Sequence, residues 1–332
     1  MIHRPVLKKE ILKFWLNSKF LKNDSPIFLV DATCGEGGHS LTLLEKAKKE
    51  NWLKRLILIC IDLDPEILKQ AKNNLKKFRD HVIFKNVNYA DLAKILDELN
   101  LPAGRKEING ILFDLGASSY HFKKESRGFS FRSNDPLDMR YDQRQKLSAF
   151  EVINRFPQNE MKNIIQKLGE ERSAGRIANL IVKKRRIKPI KTTSELADII
   201  LEAIPKKFWH IHRDKNFSGH HKKIHPATKT FQALRIYVNS ELNHVEKGIK
   251  EAIKKLQKGG RILVISFHSL EDRIIKRIFK EFAEPKKDEI YGKIIEQPQL
   301  YIMTKKPMLA SQEELEKNPA SRSAKLRVAE RR

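Results

Sequence analysis

The chain has 332 residues, enough for an ample core in one large domain or two smaller ones, and sets 67 Lys and Arg against 41 Asp and Glu for a formal charge of +26. That excess exceeds what solubility asks of a domain and points to a polyanionic partner, nucleic acid or ribosome. Two cysteines, Cys34 and Cys60, exclude a disulfide framework and a cysteine-based metal site; no apolar run approaches a membrane span, and the opening Met1-Ile2-His3-Arg4 is neither signal nor transit segment, so a soluble, cytoplasmic protein is expected.

Apolar residues Val6, Leu7, Ile11, Leu12, Trp15 and Leu16 predict a first helix over about 6–21. The run Ile27 to Val30 then reads as a strand, Gly35, Gly37 and Gly38 as a turn, and Leu41, Leu43, Leu44 and Ala47 as the buried face of a helix. Glycines suit a sharp turn against which a ligand lies without Cβ atoms in the way. A second strand, Leu56 to Ile61, ends in Asp62, placed to take both hydroxyls of a ribose. The turn has Ser40 where a dinucleotide fingerprint has its third glycine, and it lacks the Gly-Lys-Ser/Thr ending of a P-loop. A nucleoside ligand without a pyrophosphate, such as S-adenosyl-L-methionine, therefore fits better than NAD or ATP.

After a helix opened by Pro65, a third strand is predicted over 82–88, a short helix over 92–99, and a fourth strand over Gly110 to Gly116. Strands apolar on both faces, alternating with helices, make an α/β fold with a covered parallel sheet. Ligands bind at the carboxyl ends of such strands, where Asp31, Asp62 and Asp114 fall. From Ala117 to Arg140 periodicity vanishes, and a loop of that length beside strand tips is more often functional than idle. Between 141 and 224 the pattern is helical, over 149–155, 159–168, 171–186 and 193–204, and reads as a small all-helical domain inserted into the sheet domain.

Its run Lys183-Lys184-Arg185-Arg186 is equally a solvated helix end or a phosphate contact. Residues 206–225 mix six Lys and Arg with Phe208, Trp209 and Phe217, a composition suited to clamping RNA or to a loop. His210, His212, His220 and His221 there have only Asp214 for company, so no metal is expected. A long helical stretch over 230–256 leads back to a strand, Ile262 to Phe267, and to a helix after His268. A hairpin-like end over 294–303 and 324–329 finishes the sheet, with a mobile polar connection between its arms. The oligomeric state is left open.

Long motifs run through these elements: Gly37-Gly38-His39-Ser40, Asp114-Leu115-Gly116-x-Ser118-Ser119, Arg127-Gly128-Phe129-Ser130-Phe131, Pro136-Leu137-Asp138-Met139-Arg140, Gly169-Glu170-Glu171-Arg172, His225-Pro226-Ala227-Thr228 and Ser266-Phe267-His268-Ser269-Leu270-Glu271-Asp272-Arg273. With them the chain resembles the bacterial RsmH (MraW) family along nearly its whole length. The resemblance implies a Rossmann-like class I methyltransferase sheet with the helical insertion, divided as 1–140, 141–224 for substrate recognition, and 225–332. It implies S-adenosyl-L-methionine as cofactor and the N4 amine of a cytidine in the decoding centre (P site) of 16S rRNA, in the small ribosomal subunit, as substrate. Carried over by position, the cofactor contacts are Gly37, Gly38, His39, Asp62, Tyr89, Asp114 and His121. Tyr89 stands where phenylalanine is common in relatives, and His121 stands where glutamine is usual.

Methylating cytosine at C5 needs a thiolate beside the fourth strand, and a zinc deaminase needs a Pro-Cys-x-x-Cys set; neither is present. Methylating an exocyclic amine needs an acceptor that binds the N–H and aligns the nitrogen with the sulfonium methyl, and Asp114 is the candidate catalytic residue. A ribosome-assembly factor that binds cofactor and rRNA without turnover is the alternative from another class.

Overall fold

The computed structural model describes residues 4–99, 101, 107–118, 120–121, 126–205, 225–288 and 293–332. The histidine-rich segment 206–224 lies outside them. Two compact units form: Met1–Ser118 with Leu242–Arg332, and Ser119–Glu241. Their boundaries fall outside 140/141 and 224/225. The irregular segment before 140 and the helix Thr228–Val238 bury Phe129, Leu137, Met139, Phe231 and Leu234 in one cluster with Ile153, Ile165 and Ile177.

In the first unit the strands are β1 (Ile27–Asp31), β2 (Leu56–Ile61), β3 (Val82–Lys85), β4 (Ile108–Asp114), β5 (Leu256–Ser266), β6 (Leu300–Ile302) and β7 (Lys325–Arg331). They lie side by side in the order β3-β2-β1-β4-β5-β7-β6. The first five are parallel, and β7 runs antiparallel to both β5 and β6. This is the α/β fold with a covered, largely parallel sheet expected from the sequence. Met308–Leu309 adds a short pairing to β7, and Lys286–Lys287 with Ile294–Glu296 makes a separate ribbon.

Every residue of β1 is buried, because side chains alternate between two covered faces. Phe28, Val30, Ile59, Ile61, Ile111, Phe113, Ile262 and Val264 feed one core, covered by Val245, Ile249, Ile275 and Phe279 of two helices, Glu241–Lys255 and Ser269–Ala283. Ile27, Leu29, Leu58, Cys60, Leu112, Leu263 and Ile265 feed the other, under the helices Lys8–Phe14, Gly38–Lys49 and Pro65–Asn74. Burying each large apolar side chain contributes about 1.5–3 kcal/mol before entropy is counted.

The predicted first helix is broken: it spans Lys8–Phe14, and a 3-10 turn, Ser18–Leu21, follows. Buried Asn17 accepts from the Lys19 amide and donates Nδ2 to Gly259 O at 3.2 Å and Glu330 Oε2 at 3.1 Å, so distant partners override the apolar period. The C-terminal connection is also pinned rather than mobile. It contains the helix Gln312–Lys317 and a 3-10 turn Pro319–Ser323, and Glu314 Oε1 accepts from the Leu7 amide at 2.6 Å.

The second unit holds the helices Ala149–Arg155, Gln158–Gly169, Ala174–Ile187, Thr193–Ala203 and Thr228–Val238. Thr192 and Glu195 close a capping box at the start of Thr193–Ala203. In the basic run, Arg185 donates to Ile153 O and Phe156 O, both at 2.6 Å, capping the end of another helix, and Lys184 pairs with Glu202 at 2.9 Å. Half of that run is thus engaged in structure. Among the described residues no helix is long and apolar enough to cross a membrane.

Candidate active site

The carboxyl ends of β1, β2, β4 and β5 carry the chemistry-bearing groups of the sheet unit. After β1 the chain bends at Gly35 (φ +54°) and Gly37 (φ +84°), left-handed conformations that side chains resist, and enters the helix Gly38–Lys49. A Cβ on Gly37 would meet Leu75 at 3.2 Å, whereas one on Gly35 would meet only Thr33 O, at 3.9 Å. One glycine therefore packs the turn onto the fold; the other keeps its outer side open.

Asp62 follows β2. Its Oδ2 accepts from the Gly35 amide at 2.8 Å and its Oδ1 from the Asp64 amide at 2.9 Å, which ties the acidic strand tip to the glycine turn. Burial pushes its carboxyl up to about 7 even though both backbone donors pull it down. Two amide bonds leave two of a carboxylate's roughly four acceptor sites for a diol. The group fits the ribose of a nucleoside.

Asp114 ends β4, with its amide donating to Thr33 Oγ1 at 2.6 Å. Its Oδ2 lies 3.5 Å from Nε2 of His39, in the first turn of the helix after the glycines. Among the described residues neither Asp114 Oδ1 nor His39 Nε2, both buried, has a hydrogen-bond partner. Two such atoms facing one strand tip are suited to ligand atoms, since buried polar groups are normally paired.

Tyr89 opens the turn after β3, half-buried, its ring edge-on to Phe113 with centroids 5.5 Å apart. Gly248 lets the helix Glu241–Lys255 reach this ring, for a Cβ there would stand 2.6 Å from Tyr89 Cδ2. The chain thus brings Gly37, Gly38, His39, Asp62, Tyr89 and Asp114 to one end of one sheet. His121 belongs to the other unit. It is 5 % exposed in an aromatic cluster there, its ring 4.7 Å from Phe129 and 4.9 Å from Tyr141.

Two features here escaped the sequence pattern. Asp31 is buried at the tip of β1 and accepts from Ser40 Oγ at 2.6 Å, and burial pushes its carboxyl up to about 6. That link between strand tip and helix start has no spacing signature beyond the turn itself. The Cys34 thiol is pushed well above its usual range by a hydrogen bond with Cys60 and by burial. Of the residues after β5, His268 and Glu271 serve the helix Ser269–Ala283: His268 Nδ1 accepts from the Glu271 amide at 3.3 Å, and Glu271 Oε2 from the Phe267 amide at 2.8 Å. Asp272 grips Arg327 of β7 through two bonds, 2.7 and 3.1 Å long.

The rest of the long motifs shape the helical unit. Gly128 (φ +75°) leaves no room for a Cβ, which would fall 2.2 Å from Pro136 O, and the Met139 amide donates to Arg127 O at 2.7 Å. Asn239 bridges Met139 O and the Tyr141 amide, at 2.7 and 2.8 Å. Arg235 and Glu241 form a two-bond ion pair, 2.9 and 3.0 Å.

The chain is 46% identical over 329 residues to the ribosomal RNA small subunit methyltransferase H of Sulfurihydrogenibium sp. (strain YO3AOP1), covering 99% of each chain. It is 43% identical over 329 residues to the protein of that name from Persephonella marina, again with 99% of each covered. With that from Halothermothrix orenii it shares 42% over 334 residues, covering 99% of this chain and 98% of the other. A family model described as the MraW methylase family matches residues 1–332, so the chain, from its glycine turn to its last strand, belongs to the MraW methylase family.

Proposed function

We propose that the protein methylates the exocyclic N4 amine of a cytidine in the decoding centre of 16S rRNA, within the small ribosomal subunit, with S-adenosyl-L-methionine as donor. Family membership and relatives named ribosomal RNA small subunit methyltransferase H support the substrate class. The observation that carries the chemistry is the Asp114 carboxylate at the tip of β4, with Oδ1 buried and unpartnered among the described residues, beside the glycine turn. The bound cofactor supplies an electrophilic methyl on a sulfonium.

Gly35 leaves room beside the turn, and with cofactor bound Asp62 would accept from the ribose hydroxyls and the Tyr89 ring would pack against the adenine. Asp114 accepts an N–H of the cytosine amine, aligns its nitrogen and takes the proton released as the N–C bond forms. C5 chemistry is disfavoured because both thiols are buried and that of Cys34 is held protonated.

Flipping a cytidine out of folded RNA costs a few kcal/mol, which phosphate contacts from the +26 excess and the helical unit, residues 141–224 above all, would offset. The rRNA substrate places this activity in the cytoplasm. The test is nucleoside mass spectrometry of small-subunit RNA incubated with donor and either the parent protein or Asp114→Ala. N4-methylcytidine is expected with the parent, and at least about a hundredfold less with the variant while it still binds S-adenosylhomocysteine. A parent that makes none on any small-subunit intermediate would put the assembly-factor function ahead.

A further inference from the structure

We infer that His39 is a positioning residue for Asp114: its Nε2–H holds Asp114 Oδ2, leaving Oδ1 turned to the amine that is methylated. This rests on the function proposed above and adds a residue to it. The geometry has three parts. His39 Nε2 and Asp114 Oδ2 are 3.5 Å apart, longer than a formed hydrogen bond, and imidazole and carboxylate side chains are 7 % and 24 % exposed. Nε2 and Oδ1 are buried atoms without a hydrogen-bond partner among the described residues. Both residues are backed by fixed elements: the Asp114 amide is held by Thr33 Oγ1, and His39 sits in the first turn of Gly38–Lys49.

A contact that is long without substrate and shortens with it is common among groups that act in a transition state. A carboxylate on a single-bonded Cβ swings about χ2, and only one of its oxygens is needed by the N–H. Holding the other fixes the orientation. In the step itself the amine lone pair forms the N–C bond, the C–S pair stays on sulfur, and the N–H proton passes to Asp114 Oδ1; His39 exchanges no proton. Its part is orientation, which a side chain of matching reach with an N–H at its end reproduces. Glutamine is such a side chain and phenylalanine is not.

The experiment uses the full chain on small-subunit particles, with turnover measured at saturating donor and S-adenosylhomocysteine affinity measured by calorimetry. His39→Phe is expected to lower kcat about 10- to 100-fold, the range for a misplaced catalytic group, with little change in S-adenosylhomocysteine Kd. His39→Gln should recover most of the loss, and His39→Phe should cost nothing further in an Asp114→Asn background. Parental kcat in His39→Phe overturns the inference, as does a loss carried by S-adenosylhomocysteine Kd, which would make the ring a cofactor contact. The ring nitrogens of His39, followed by 15N NMR in the S-adenosylhomocysteine complex, decide the pairing without turnover. An Nε2–H tautomer whose signal moves in Asp114→Asn supports it, and an unmoved signal overturns it. An inactive parent with a shifted signal would therefore remove the proposed function and keep the pair.

Discussion

Asp31 shows how one buried side chain sets a pH dependence. Its carboxyl is raised from 3.8 to about 6 by burial, so the folded chain holds that proton more tightly than the unfolded one. Stability from this group is full below about pH 4 and is lost as pH rises through 6, by about 3 kcal/mol for a shift of that size. Asp31→Asn keeps an acceptor for Ser40 Oγ and removes the ionisation. Urea unfolding should find the variant equal to the parent near pH 4 and more stable at pH 7.5; a parallel pair of pH profiles would show that Asp31 stays neutral or solvated. Asp62, raised to about 7, adds a slope of the same sign that extends to higher pH.

At the scale of elements, Gly248 separates helix propensity from ligand binding. Alanine is worth about 1 kcal/mol over glycine in a helix interior, yet its Cβ at this position would stand 2.6 Å from Tyr89 Cδ2. Gly248→Ala is expected to push the Tyr89 ring off Phe113 and raise S-adenosylhomocysteine Kd about tenfold or more, with any helix gain absorbed by the clash. Unchanged affinity would place the adenine elsewhere. Which elements exist was largely legible in the chain: β1, β2 and β4 carry apolar runs that lead into the acids Asp31, Asp62 and Asp114, and the glycine turn announces its helix. What stayed hidden depends on partners far away in sequence. Asn17 breaks a helix for the sake of Gly259 and Glu330, and Glu314 reaches back to Leu7. The candidate site followed the same division, since strand-tip acids are local signals, whereas the approach of His39 to Asp114 exists only once β4 lies beside β1.

Across the whole molecule the charge of +26 separates two kinds of ligand. Phosphate contacts release counterions, so RNA affinity should fall at least about a hundredfold between 50 and 300 mM salt. A cofactor held by Asp62, Tyr89 and the glycine turn should change its Kd less than about threefold over the same range. Filter binding and calorimetry on one preparation measure both, and equal salt slopes would detach the charge from substrate binding. The order β3-β2-β1-β4-β5-β7-β6 also governs how the molecule comes off its own ribosome. β4 is made before the helical unit and β5 after it, and β7, which follows β6 in the chain, lies between β5 and β6. A nascent chain stalled before residue 325 carries two unsatisfied strand edges, a template for aggregation at the tunnel mouth. The sheet can thus close only once β7 has left the tunnel and reached the gap between β5 and β6.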